Sequence, residues 1–265
     1  MLTIQCDTHT HTLYSRHAYS TLEENVRAAK AQGLTLLAGT DHYGSMLFDS
    51  YDLRHYDFLR FQHAWPRECD GVTLLRGVEA DITTLKGDLF GHEHMVTESL
   101  LANPFPKPMS MEEYVFEPQD FAIASVHNRQ FAKDATPAQG TEMYCRAMEN
   151  KKVLIIGHIV RGGVPFNMDE VLQHAKKTGV LIEINENSLA AQDGTAAQCC
   201  RVAERCAELN VPISLGTDAH LSYRVGRFPC ALAMLDKIGF PEELVASRTK
   251  ESFLSALSNA GLSIH

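Results

Sequence analysis

The chain has 265 residues, 45% hydrophobic and 22% charged, with a formal net charge of −9. That balance matches soluble globular proteins, and no run approaches the roughly 20 apolar residues that span a bilayer, so a disordered chain and a membrane partner are excluded. The acidic charge argues against extended nucleic acid, whose phosphate backbone demands a basic surface, but leaves room for a small phosphorylated ligand held through bound cations.

An apolar run over residues 2–6 predicts the first strand, and DTHTHT follows it directly, without a basic leader or long apolar stretch. Residues 21–32 form the first helix: Ser20 or Thr21 caps it, Glu23 and Glu24 occupy its first turn, and Gly33 follows its last. A strand over 34–39 and a helical stretch over 53–63 come next. Further strands are predicted at 72–78, 121–126, 153–156, 180–184 and 211–215, with helices at 137–150, 168–177, 195–210 and 228–238.

Seven near-continuous apolar strands separated by helices predict an α/β fold with a parallel sheet covered on both faces, and a closed barrel fits their number better than an open sheet. The exception is an irregular excursion at about 80–119, where KGDLFGHEHM and NPFPKPM mix glycine and proline with no clean helix. It is expected to cross the barrel mouth, since loops of that length in compact domains usually serve function or move. No linker or repeat divides the chain, so residues 1–265 are taken as one domain. Seven cysteines without CxxC spacing suit a reducing cytoplasm. A homo-oligomer is left open.

The ionisable residues fall at predicted strand ends: His9 and His11, Asp41 and His42, Glu79, His127, His158, then Asp218 and His220, with His17 in the first loop. In α/β barrels the rim at the strands' C-terminal ends is where active sites are built. Residues two apart on an extended segment share a face, so His9 with His11, and Asp218 with His220, can each converge. Imidazole and carboxylate without thiolate suit Zn, Fe or Mn, and the sequence does not choose among them. One such histidine is ordinarily a structural residue; their coincidence at successive strands is the signal. His55, His63 and His174 sit on predicted helices, where packing or surface roles are expected, as for the terminal His265. His92 and His94 form a second HxH inside the excursion and are expected in an exposed loop.

DTHTHT, GTDH, GVEAD, SVHN, IGH and GTDAH, in that order, resemble the PHP (polymerase and histidinol phosphatase) family of metallohydrolases over essentially the whole chain. RHAYSTL, WPRECDGVTLLRGVEA and LIEINENS are similar to its YcdX-type branch of free-standing bacterial phosphatases. The resemblance implies a distorted (β/α)7 TIM-like barrel with three divalent metal ions at its C-terminal rim. One would be held by His9, His11, Glu79 and Asp218, a second by Glu79, His127 and His158, and a third by His17, His42 and His220. His158 is followed by Ile-Val-Arg-Gly-Gly where the family pattern has His-Pro-Gly.

The expected activity is a phosphomonoesterase on a small phosphorylated metabolite, because two divalent ions bridged by a carboxylate can share a hydroxide and neutralise phosphoryl oxygens. Glu79, Asp218, Arg161 and Arg129 are the candidate catalytic residues, the arginines as forks for phosphate, with Arg224 and Arg227 as further candidates. Asp41, Glu183 and Asn185 are expected to support the ligands from behind; Asp41 either orients an imidazole or caps its turn. A phosphodiesterase or nuclease on short nucleotides, a hydrolase of C–N or C–O bonds, and a non-catalytic metal-binding domain are the competing readings.

Overall fold

The computed structural model describes residues 2–48, 50–191 and 194–264; His265 lies outside them. Among these residues the strands are β1 (Cys6–Thr10), β2 (Leu36–Gly39), β3 (His42–Tyr43), β4 (Glu68–Cys69), β5 (Val72–Asp81), β6 (Met95–Glu98), β7 (Pro104–Ser110), β8 (Phe121–Ser125), β9 (Val153–Ile156), β10 (Leu181–Asn185) and β11 (Ile213–Gly216). The order β1-β2-β5-β8-β9-β10-β11 is parallel throughout. A parallel bridge between Thr10 and Ala219 joins the last strand's end to the first, with hydrogen bonds from Asp218 N to His9 O (2.8 Å) and His11 N to Ala219 O (2.9 Å). Buried Asp7 reinforces this closure by accepting from the backbone N–H of Thr217 and Gly226 and from the Thr217 hydroxyl. The result is a seven-stranded α/β barrel of TIM-like type.

The interior is divided by height. Cys6, Leu36, Ala38, Leu75, Phe121, Ile123, Ile155 and Leu181 form one buried cluster with Phe253 and Leu257. Contributors from six strands can meet only inside the ring. Phe253 and Leu257 belong to the helix Lys250–Asn259, which therefore plugs the bottom. Because a strand's faces alternate, every second residue above this cluster must also point inward. Leu75 leads to Glu79 and Asp81, Ile123 to Ser125, and Leu181 to Glu183 and Asn185. β5, β8 and β10 are therefore apolar at their bases and polar at their rims.

The helices are α1 (Leu22–Ala31), α2 (Asp57–Arg60), α3 (Met111–Phe116), α4 (Pro137–Ala147), α5 (Met168–Thr178), α6 (Glu186–Ala190), α7 (Thr195–Leu209), α8 (Pro229–Ile238) and α9 (Lys250–Asn259). The Thr21 cap holds as a full capping box with Glu24. α9 carried a comparable sign in Thr249 and Ser252, which cap it reciprocally, and a Phe253 to Leu257 spacing of one helical turn; sequence reading passed over it. The stretch at 53–63 is broken into the 3-10 turns Leu53–His55 and Phe61–Ala64 around the four-residue α2.

Three boundaries differ from expectation. β1 starts at Cys6 instead of residue 2, since pairing with β2 begins there, so Asp7 to Thr10 are strand residues although polar. β5 runs to Asp81, which puts Glu79 within the strand and not after it. The excursion contains regular structure: β6 and β7 form an antiparallel hairpin, and Ser110 with Glu113 boxes the start of α3. Pro104, Pro106 and Pro108 alternate, so their missing N–H groups all face one edge and leave the other free to pair.

Candidate metal centre

Glu79 lies at the centre of the rim. Its Oε1 is 2.8 Å from His158 Nε2 and 3.3 Å from His127 Nε2, and accepts from Ser125 Oγ at 2.7 Å. Its Oε2 is 2.7 Å from His42 Nδ1, 3.3 Å from His9 Nε2 and 3.6 Å from His11 Nε2. Asp218 Oδ1 faces His11 Nε2 at 3.2 Å and His220 Nδ1 at 3.5 Å. His9 Nε2 and His11 Nε2 approach to 3.1 Å, and His220 Nε2 and His17 Nε2 to 2.8 Å. All nine residues named as ligands are thus brought together.

Their grouping differs in detail from the implied one. Donor atoms close enough to share one cation come from His9, His11 and Asp218, from His42, Glu79 and His127, and from His11, His42 and His220. His42 therefore leans on Glu79 as well as on His220, His158 joins through Glu79, and His17 joins through His220.

The site is pre-strained to hold this shape. Six described non-glycine residues have positive φ, and two of them, His158 (26°) and Asp218 (53°), are rim ligands. Such backbone persists where surrounding contacts over-determine it, typically at functional sites. Glu183 supplies those contacts: Oε2 accepts from the His158 backbone N–H and Oε1 sits on His9 Nδ1, both at 2.7 Å. Gly216 makes room for it, since a Cβ there would lie 2.3 Å from that Oε1. Asn185 Nδ2 donates to Asp218 Oδ2 at 3.3 Å. Asp41 reaches the first loop instead of capping its own turn. It accepts from Thr12 N and from the Thr12 and Ser15 hydroxyls, and Ser15 Oγ lies 3.0 Å from His11 Nδ1.

Asp81 was missed. Its Oδ1 is 2.6 Å from His127 Nδ1, holding that ring with Nε2 towards Glu79. The signal was available, because Asp81 stands two residues beyond Glu79 on one strand face. Carboxylates behind ligating histidines commonly support metal affinity by 10–100-fold. Asp81→Ala is accordingly expected to weaken metal binding by about 10–100-fold while the fold is retained, as read by titration of metal-free protein. Unchanged affinity would remove Asp81 from this role.

The electrostatics favour ionised carboxylates. Burial opposes charge on Glu79, but the facing imidazoles of His127, His9 and His42 outweigh it and hold the carboxyl well below the usual range. Asp218 is held low in the same way, against burial, by His9, His11 and Arg161. His127, against its own burial, is pushed up to about 10 by Glu79 and Asp81. Burial and then His42 keep His11 well below its usual value. The negative potential that holds a proton on His127 is the one that attracts a divalent cation.

The donor set fits cations. Of the atoms in the cluster, His42 Nδ1 and Nε2, Glu79 Oε2, His127 Nε2 and Asp218 Oδ1 are buried without a hydrogen bond. His42 Nδ1 and Glu79 Oε2 show why: they are close, yet not aligned as donor and acceptor. A buried polar atom left so costs about 1–3 kcal/mol, whereas lone pairs aimed at one volume suit hard or borderline metal ions.

The arginines separate. Arg161 Nη2 donates to Asp218 Oδ2 at 2.8 Å, its side chain one-third exposed. Arg129 is exposed and lies against Gly163, on the same turn as Arg161. Arg224 donates to Asn187 Oδ1, and Arg227 lines a groove beside α1; neither reaches the cluster. His92 and His94 are half-buried instead of exposed, because a tight turn lets His92 Nδ1 meet Leu89 O at 3.0 Å and His94 stack on Tyr51. His55 stacks on Phe48, and His63 is exposed.

A parallel barrel whose rim gathers imidazoles around a shared carboxylate defines a metal-binding α/β barrel. The PHP domain model matches residues 7–187, and this chain belongs to the PHP family. It is 36% identical over 255 residues to a probable phosphatase of Clostridium botulinum, covering 96% of this chain and 95% of that protein. A probable phosphatase of Aliivibrio fischeri is 33% identical over 258 residues, covering 97% and 94%. Among solved structures, histidinol phosphate phosphatase of Lactococcus lactis, complexed with zinc, L-histidinol and phosphate, shares the fold. The TM-score is 0.56 at 19% identity, covering 90% of this chain and 95% of that one. Among the described residues no helix is long and apolar enough to cross a membrane.

Proposed function

We propose that the chain is a metal-dependent phosphomonoesterase acting on a small phosphorylated metabolite, in a reducing cytoplasm that suits seven cysteines without CxxC spacing. The observation that carries this reading is the convergence of nine imidazole and carboxylate side chains at one rim, with Arg161 beside them. The phosphatase names of relatives that match nearly the whole chain support the choice of ester.

Three cation positions are proposed, with Zn, Fe or Mn all suited to nitrogen and oxygen donors. His9, His11 and Asp218 would hold the first, Glu79 with His127, His158 and His42 the second, and His17 and His220 with a share of His42 the third. Cations held there supply Lewis acidity towards phosphoryl oxygens and activate water for attack at phosphorus. The chain's own part is placement. Glu79, whose Oε2 faces His9 and His11 and whose Oε1 faces His127 and His158, would be shared between the first and second positions. Glu183 locks His9 and the His158 backbone, so the donors need no reorganisation. Arg161, oriented by Asp218, presents its remaining N–H groups to the phosphoryl oxygens.

Metal-replete protein offered p-nitrophenyl phosphate, its bis ester and a lactam is expected to cleave the monoester fastest. Failure to cleave either phosphate ester would sink the proposal, and faster cleavage of the bis ester would move it to phosphodiester chemistry. Arg161→Ala is expected to keep its metal and raise KM about tenfold, the cost of losing one charged hydrogen bond. Loss of metal in that variant would make Arg161 a support for Asp218 instead of a phosphate contact.

A further inference from the structure

Resting on the phosphomonoesterase reading, we infer that the alcohol half of the substrate is an uncharged, polyhydroxylated group such as a sugar, bound beyond His127 and selected against a second phosphate. The rim is not symmetric in charge. The turn after β9 carries Arg161, and Arg129, from the turn after β8, reaches over to Gly163 of that same turn. Next to Asp81, which holds His127, a cavity of about 390 Å³ is lined also by Ser45, Ile82, Thr83, Asn128, Gln130 and Phe131. It starts at the carboxylate that holds His127 and contains no basic residue. Its hydroxyls and amides offer both donors and acceptors, and Phe131 offers an apolar face, the mix that small polar ligands use for orientation and contact area.

Thr83 also lines a second cavity, of about 350 Å³, with Thr84, His92, Glu93, His94 and Tyr51. The two therefore adjoin, and together they exceed what a phosphoryl group fills. Asp88 and Glu93 stand beside His92 in that outer part, at 3.6 and 3.5 Å. A second phosphate placed there would meet carboxylates and no arginine or lysine, and such like-charge juxtaposition is strongly disfavoured. A neutral hydroxyl-rich chain meets hydrogen-bonding groups along the same path. The half-buried HxH of the excursion thereby acquires a place in selecting the alcohol.

The experiment compares kcat/KM of the metal-replete full chain for p-nitrophenyl phosphate, a hexose monophosphate and the bisphosphate of the same hexose. The wild type is expected to prefer the monophosphate by about tenfold or more. Gln130 is exposed, so charge can be added there without disturbing the core. Gln130→Lys is expected to narrow that preference several-fold and Gln130→Glu to widen it, with metal content equal in all three proteins. Binding of a non-hydrolysable hexose phosphonate, measured calorimetrically, is expected to follow the same order. A wild type active on p-nitrophenyl phosphate that prefers the bisphosphate, or two variants that leave the ratio unmoved, would overturn the inference alone. Silence towards all three esters would overturn the phosphatase reading with it.

Discussion

Glu79→Ala is expected to lose metal and turnover together, with kcat/KM falling by about 10³-fold or more, a barrier increase of roughly 4 kcal/mol. The reason lies in the number of partners. One carboxylate faces five imidazoles, from His9, His11, His42, His127 and His158, so its removal leaves their nitrogens without the charge that draws cations among them. Breaking one member of a buried charged network is severe because the rest stay buried and uncompensated. Glu79→Gln separates charge from volume: it keeps the shape and the Ser125 contact but not the anion, and should behave as the alanine variant does. Metal analysis beside steady-state rates checks both, and an active, metal-replete variant of either kind would defeat the bridging assignment.

Chelation is expected to abolish activity and to lower the melting temperature by roughly 10 °C, with both restored by adding back divalent metal. A ligand present at about 1,000 times its Kd stabilises the native state by about 4 kcal/mol, and at this chain length each kcal/mol shifts Tm by about 2–4 °C. The direction follows from the orphaned ligand atoms of His42, Glu79, His127 and Asp218, whose desolvation cost cations would offset. Acid acts in the same sense as chelation, since ligating histidines must be deprotonated and metal is released as pH falls. Differential scanning calorimetry with and without chelator reads the shift. A Tm indifferent to chelator would mean that the rim does not bind metal tightly.

Much of this site was legible because its residues lie where strand and loop meet, and apolar strand bases announce those junctions. Glu183 and Asn185 could be placed inward from the period of two along β10. Asp81 could have been found by the same period from Glu79, but β5 was ended early. Apolarity marks a strand only while its neighbours are apolar, and here the barrel interior turns polar at the rim. That change also hid the end of β1, where Asp7 to Thr10 are strand residues. What the sequence could not carry was the grouping of ligands among strands. Parity places His42 inward, but only the fold brings its ring to Glu79, and only the Ser15 hydroxyl links Asp41 to His11. Of four arginines proposed for phosphate, one reaches a ligand, because arginine is long enough to satisfy itself elsewhere.

The closure of the ring has a consequence in time. β1, which carries His9, is joined at the rim by Asp218 and Ala219, and the base is stoppered by Phe253 and Leu257, near the end of the chain. During synthesis the first histidines emerge some two hundred residues before the partners that orient them. Contacts between such distant segments are also slow to form. A fragment that lacks β11 and Asp218 therefore cannot assemble the whole donor cluster, and metal uptake by that cluster waits on the closing of the ring.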